Sequence, residues 1–116
     1  MNRHVFLLLL SLMSFTGYAQ IASVKGEALV KEGPFVDAVI NGKVYLLYDG
    51  ELTYSTRTDY DGKFEFPDVT PGEYTLVVDH VRYGISEEIK VVAKVGRITT
   101  VEVSMSPPAD DIEIEE

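Results

Sequence analysis

Apolar and polar residues alternate with a period of two along most of the chain, which is typical of β-strands with one buried face. Residues 24–31 alternate in this way, and Gly33-Pro34 ends the segment. Further alternating segments are predicted at residues 44–48, 52–58, 64–66, 74–78, 85–91 and 101–105. Seven strands of this length predict an all-β fold, a Greek-key sandwich of two sheets.

Residues 58–66 predict a tight loop between two of these strands. The loop is expected to be Tyr60-Asp61-Gly62, with Gly62 in the left-handed conformation that favours glycine. Asp59 is then placed to accept hydrogen bonds from the loop amides. The predicted hairpin register pairs Thr58 with Phe64 and Thr56 with Phe66.

This loop and a second turn eight residues later resemble a known domain family. The residues that carry the resemblance are the segment 58–66, Pro71-Gly72 with Tyr74, Gly26 and Tyr83-Gly84. Together they resemble the carboxypeptidase regulatory-like domains over residues 22–105. The resemblance implies a transthyretin-like or immunoglobulin-like sandwich without catalytic residues of its own.

The first nineteen residues follow the pattern of a secretory signal peptide. Arg3 precedes an apolar run, and small residues at Gly17 and Ala19 predict cleavage after Ala19. We therefore predict a signal peptide at 1–19, a β-sandwich at 20–106 and an acidic, disordered tail at 107–116. The protein is expected to be exported, either periplasmic or secreted, with no membrane span after cleavage.

Charge and cysteine content narrow the classes of function. The formal net charge is −9, and the chain contains no cysteine. An acidic protein repels phosphate backbones, so a nucleic-acid partner is disfavoured. Without disulfides, the domain must fold on its apolar core alone.

Paired aspartates raise the possibility of a calcium site. Asp59 and Asp61 are spaced as at the start of many calcium loops, but Lys63 and Phe64 stand where an oxygen ligand and a glycine are needed. We therefore interpret the segment as a turn and expect no cofactor. A weaker calcium site would use Asp59, Asp61 and Asp68.

Few residues of this sequence are suited to nucleophilic or acid–base catalysis. His80 is the only histidine outside the predicted signal peptide, since His4 lies within it. A small hydrolase would need His80 as the base for a serine or threonine nucleophile. Asp79 is adjacent, and neighbouring side chains of a strand point to opposite faces. We therefore expect no catalytic residues.

Tyrosines offer the clearest binding hypothesis. Tyr48 and Tyr54 have core-facing parity, and Tyr74 is expected at a strand corner with its hydroxyl on a nearby carbonyl. Tyr45, Tyr60 and Tyr83 remain as ligand-binding candidates. The sequence favours a non-catalytic binding or structural module whose partner is a protein or carbohydrate of the cell envelope. The alternatives are a carbohydrate-binding module of starch-binding-like fold and a hydrolase centred on His80.

Overall fold

The computed structural model describes residues 21–107, which form two sheets packed as a sandwich. The strands are β1 (Ala22–Glu32), β2 (Phe35–Ala38), β3 (Lys43–Tyr48), β4 (Glu51–Arg57), β5 (Lys63–Val69), β6 (Gly72–His80), β7 (Gly84–Ile85), β8 (Ile89–Ala93) and β9 (Ile98–Met105). The prediction of an all-β sandwich is confirmed. The predicted signal peptide and residues 108–116 of the predicted tail lie outside the described residues.

Sheet A is built around β1. One edge of β1 pairs in parallel with β9, and the register runs without a break from Ser23 to Val30. The opposite edge pairs with β5 over its first half and with β2 over its second half, both antiparallel. The long first strand therefore positions three others.

Sheet B is antiparallel and is built around β3 and β6. Strand β4 flanks β3, while β8 and β7 follow one another along the outer edge of β6. The β3–β4 connection is a tight turn in which Asp49 (φ 53°) and Gly50 (φ 84°) both have positive φ. Such turns match the twist of antiparallel strands, so they form compact hairpins.

The core lies between the two sheets and is almost entirely aliphatic and aromatic. Leu46 of β3 and Leu76 of β6 are fully buried and directly opposite each other in sheet B. Sheet A contributes buried side chains on alternate positions of β1, β5 and β9, as a strand with one buried face requires. The alternating positions predicted to share one face in strands 24–31, 74–78 and 101–105 lie in this core, apart from Gly26, which is half-buried. These positions are Val24, Ala28, Val30, Tyr74, Leu76, Val78, Val101, Val103 and Met105.

The predicted hairpin between residues 56–58 and 64–66 is wrong, because β4 and β5 belong to different sheets. The backbone N–H of Thr58 donates to Gly42, and its buried hydroxyl accepts from the Gly42 amide, so the end of β4 stays beside β3. Phe64 instead pairs with Gly26 of β1. The loop is therefore a crossover from sheet B to sheet A.

The predicted count of seven strands is also wrong, since the described residues form nine. Residues 35–38 add a short strand, and the predicted strand 85–91 is divided in two. Asp79 pairs with Ile85 and Leu76 pairs with Ile89. The two paired positions are three residues apart on β6 but four residues apart between β7 and β8. The extra residue places the side chain of Ile85 on the face opposite to the predicted one. Ile85 is therefore 72% exposed instead of buried.

Candidate functional site

The turn after β4 uses Asp59 as a hydrogen-bond acceptor. Asp59 Oδ1 accepts from the amides of Asp61 and Lys63, both at 2.9 Å. Gly62 has φ 78°, the left-handed conformation predicted from the sequence, and its amide donates to the Asp59 carbonyl. The hydrogen bond from the Lys63 amide is the main cause that lowers the pKa of the Asp59 carboxyl below its ordinary value. The carboxylate thus has a structural task.

The three aspartates proposed for a calcium site are not brought together. Asp59 and Asp61 lie before the start of β5, and Asp68 lies near its other end, about 16 Å further along the strand. Among residues 21–107 there is no group of three or more His, Cys, Asp or Glu side chains placed to hold a metal ion.

Replacing Asp59 by alanine is expected to lower the free energy of unfolding at neutral pH, because two amides lose their acceptor. The folded pKa of Asp59 lies below the ordinary value of 3.8. The contribution is therefore complete above the ordinary pKa and is lost as the pH falls through the lower, folded pKa. Urea melts at a series of pH values check this.

The gap in stability between the wild type and Asp59→Ala should narrow in acid. Asp61→Ala serves as the control, since it removes an exposed carboxylate of the same turn and leaves both hydrogen bonds of Asp59 in place. A gap that stays constant down to the acid end would contradict the structural role of the Asp59 carboxylate.

His80, the candidate general base, has both ring nitrogens engaged. Nδ1 accepts hydrogen bonds from the amides of Arg82 (3.0 Å) and Tyr83 (3.4 Å), so the proton resides on Nε2. Nε2 lies 2.9 Å from the carbonyl of Ile40, to which it donates. The ring also stacks on Tyr83, with centroids 4.7 Å apart. This arrangement fixes the β6–β7 loop and leaves no free nitrogen to accept a proton from a nucleophile.

The three candidate tyrosines lie in three different elements of the fold. Tyr60 is 85% exposed in the turn before β5, and Tyr83 is half-buried against His80 with Arg82 over its ring. Tyr45 lies on the outer face of sheet B, between Ser55 of β4 and Val77 of β6. Of the three, only Tyr45 belongs to a strand.

Tyr74 lies at the corner expected from the sequence. Its hydroxyl donates to the carbonyl of Thr70, just before the Pro71-Gly72 turn. The Tyr54 hydroxyl accepts from the Thr70 amide and contacts the Thr70 hydroxyl. The contacts to Thr70 lower the pKa of Tyr54, whereas burial raises the pKa of Tyr74. Thr70 thereby connects Tyr54 of β4 with Tyr74 of β6 through hydrogen bonds.

Tyr48 differs from its expected core position. It continues the inward parity of Val44 and Leu46, yet it is 54% exposed. Tyr48 is the last residue of β3, directly before the turn, so the opposing sheet does not cover it. One side of its ring contacts Tyr74, with centroids 5.7 Å apart.

The outer face of sheet B carries a continuous row of apolar side chains that the sequence did not single out. We call it the apolar strip. The registers place Leu52 beside Leu47, Tyr45 beside Val77, and Ile85 beside Asp79. Leu52 is 57% exposed, and the row lines a shallow depression of about 480 Å³. The apolar strip consists of Leu52, Leu47, Tyr45, Val77 and Ile85.

Charged side chains surround the apolar strip. Lys43 and Arg57 lie side by side at one corner of the outer face, and Asp79 and Glu88 lie at the edge of the depression. An apolar centre with a charged rim is the usual composition of a protein–protein contact surface. The strip was missed because β3 carries apolar residues on both faces, so alternation alone could not identify an exposed one.

Solved structures of similar fold come from bacterial proteins of low sequence identity. The minor pilin of Streptococcus agalactiae has a TM-score of 0.63 and 14% identity, covering 77% of this chain and 45% of its own. A Pseudomonas aeruginosa protein proposed to bind carbohydrate has a TM-score of 0.60 and 12% identity, with coverages of 74% and 89%. A DUF3823 family protein of Parabacteroides merdae has a TM-score of 0.58 and 20% identity, with coverages of 77% and 47%.

These similarities establish a shared fold. The chain spans less than half of the pilin and of the DUF3823 protein. A search of curated protein sequences finds no match. Within residues 21–107, no helix is long and apolar enough to cross a bilayer. The model of the carboxypeptidase regulatory-like domain matches residues 32–106, which is more than half of the sequence, and the chain therefore belongs to the carboxypeptidase regulatory-like domain family.

Proposed function

We propose that the chain is an exported, non-catalytic binding module of the cell envelope, and that a partner protein docks on the apolar strip. The observation that carries this proposal is the exposure of Leu52 and Ile85, at 57% and 72%, at the two ends of one apolar row. Apolar side chains that are scattered singly need no explanation, whereas a contiguous row on a sheet face is typical of an interaction site.

The geometry of sheet B suits a rigid docking surface. Tyr45, Leu47 and Val77 project from strands β3 and β6. The opposite face of these strands is anchored in the core by the buried Leu46 and Leu76. Binding to such a face costs little ordering of the backbone, because the strands are already paired on both sides. Aromatic and aliphatic side chains at the centre then supply most of the affinity.

The charge of the chain indicates the chemistry of the partner. At a net charge of −9, acidic partners and second copies of the chain are repelled at long range. We therefore infer a partner protein that presents apolar side chains within a neutral or basic surround. Export rests on the signal-peptide pattern of residues 1–19, and the pilin among the proteins of similar fold is consistent with a surface location.

The non-catalytic part of the proposal rests on His80. Both of its ring nitrogens are committed to the backbone, so a nucleophile placed nearby would find no free base. The chain also lacks the cysteine that would provide an alternative nucleophile.

A photo-activated cross-linker at position 52 tests the proposal in the cell that produces the protein. Leu52→p-benzoylphenylalanine is expected to give one discrete adduct with another envelope protein. The same substitution at Glu65 is the control, since Glu65 is exposed on the outer face of sheet A. It should give no adduct with that protein.

Two outcomes would contradict the proposal. An adduct of equal yield from both positions would mean that the contact does not depend on sheet B. An adduct with the mass of two copies of this chain would identify a homodimer and would overturn the inferred partner.

A further inference from the structure

Strand β9 lies at an edge of sheet A, and we call its unpaired side the β9 edge. It pairs with β1 on one side, and no strand among residues 21–107 pairs with it on the other. The carbonyl of Arg97 accepts from the amide of Ser23 of β1, and the backbone groups of a strand alternate between its two sides. Alternate residues of β9 therefore direct their N–H and C=O groups to the β9 edge. These residues are Ile98, Thr100, Glu102 and Ser104.

The β9 edge lacks the features that protect the other edges of the sandwich. Proteins usually block an exposed edge with a bulge, a proline, a lysine or a short strand. The pairings of β4 and β5 each contain a register shift typical of a bulge, and β5 also contains Pro67. β2, β7 and β8 have five residues or fewer. β9 has eight residues, an unbroken register with β1, and neither proline nor lysine.

The side chains beside the β9 edge indicate the chemistry of a strand that would pair there. On the outer face of sheet A, Lys63, Glu27 and Glu102 occupy neighbouring positions of β5, β1 and β9. The two adjacent carboxylates repel each other, and Glu102 is the last position of this row. A lysine or arginine opposite Glu102 would add the missing positive charge. Ile98, four residues before Glu102, is 62% exposed on the same face.

We propose that the β9 edge binds an extended, basic segment of another protein by strand addition. Antiparallel pairing is the more stable form. It places a basic residue of the segment opposite Glu102 and, four residues later, an apolar residue opposite Ile98. In this mode of recognition, backbone hydrogen bonds provide affinity and alternate side chains provide specificity. The proposal is independent of the partner proposed for the apolar strip, which lies on sheet B.

Charge favours this segment over two other strands that could pair with the β9 edge. Residues 110–116 of the same chain contain five acidic residues and no basic one, so they would bring carboxylates to Glu102. A second copy of the chain carries the same net charge of −9 and is repelled at long range. A basic segment is attracted instead.

Amide hydrogen exchange of the full chain tests whether the β9 edge is free. The amides of Thr100 and Glu102 are expected to exchange fast, whereas those of Val101 and Val103, which point to β1, should exchange slowly. Slow exchange at Thr100 and Glu102 would mean that the edge is already paired, with residues 110–116 or with a second copy. That result would overturn the proposal.

The probe for binding is the synthetic peptide Ser-Thr-Val-Lys-Val-Thr-Val-Ile-Thr, with both ends blocked. It should bind in a saturable way and slow the exchange of the Thr100 and Glu102 amides. The same peptide with glutamate in place of lysine should bind about fivefold or more weakly, because an attractive cross-strand pair becomes repulsive. Glu102→Lys should reverse this preference. The proposal is overturned if the lysine peptide does not bind, if both peptides bind equally, or if the preference survives Glu102→Lys.

Thr100→Pro tests the contribution of the backbone. It removes an N–H group of the β9 edge and leaves the groups that pair with β1, a position in which edge strands tolerate proline. Saturable binding of the lysine peptide should be lost. Thr100→Val is the matched control, since it keeps the N–H group and a side chain of similar shape, and it should bind as the wild type does. Thermal melts verify that each variant is folded, and equal binding by the proline and valine variants would contradict strand addition.

Discussion

Gly62→Val is expected to destabilise the protein by about 2–6 kcal/mol. Gly62 has φ 78°, and a residue with a branched Cβ is strained there by about 1–3 kcal/mol. A Cβ at this position would also lie 2.5 Å from the carbonyl oxygen of Ala28, and overpacking of this kind adds about 1–3 kcal/mol. Urea melts of the two proteins measure the difference.

Gly50→Val separates the two contributions. Gly50 has φ 84°, yet no atom lies within 4 Å of its added Cβ, so only the strain of about 1–3 kcal/mol is expected. Gly62→Ala provides a milder variant if the valine protein fails to fold. Equal destabilisation by Gly62→Val and Gly50→Val would contradict the packing of the turn against β1.

Leu76→Ala is expected to destabilise the protein by about 2–5 kcal/mol, because it leaves a cavity between the two sheets. Leu76 is fully buried, with Leu46 and Ile89 beside it on the neighbouring strands. The measurement is the urea midpoint together with the slope of the unfolding transition, which shows whether two-state unfolding is retained.

Val77→Ala is the matched control, because the neighbouring side chain points to the outer face of sheet B. It should cost about 1 kcal/mol or less, close to the range of surface substitutions. A larger loss from Val77→Ala than from Leu76→Ala would reverse the assignment of inner and outer faces, and with it the apolar strip.

Alternation in the sequence was sufficient to predict the fold class and most of the buried positions. The period of two separates the faces of β1, β6 and β9, since each has one face on the core. The left-handed glycine and the acceptor role of Asp59 also followed from local chemistry, which depends only on residues near in sequence. These features need no knowledge of which strands pair.

The alternation of apolar and polar residues could not predict which strands pair. Phe64 alternates in the same way whether its partner is Thr58 or Gly26, so periodicity could not distinguish a hairpin from a crossover. The absence of a side chain at Gly26 permits the observed pairing, because a Cβ there would collide with the backbone carbonyl of Val101 and would lie 2.6 Å from the Phe64 ring. Gly26 is visible in the sequence, but its role can be recognised only when the strand that pairs with it is known.

The exposure of two residues of sheet B, Ile85 and Tyr48, was not predicted from the sequence, for two physical reasons. One inserted residue before β8 places the side chain of Ile85 on the outer face of sheet B. Such a bulge cannot be recognised from the alternation of apolar and polar residues. Tyr48 has inward parity but lies where the opposing sheet ends, so its exposure depends on tertiary structure. The exposure of both residues can be recognised only once the two sheets are in place.

The measurement that tests the central claim most directly combines the cross-linker at position 52 with a charge at the other end of the apolar strip. Ile85→Glu is expected to reduce the adduct about tenfold or more, because it buries an unpaired carboxylate in the contact. Ile98→Glu is the control, since Ile98 is 62% exposed on sheet A, and it should leave the yield unchanged. Equal yields from the two variants would contradict docking on the apolar strip.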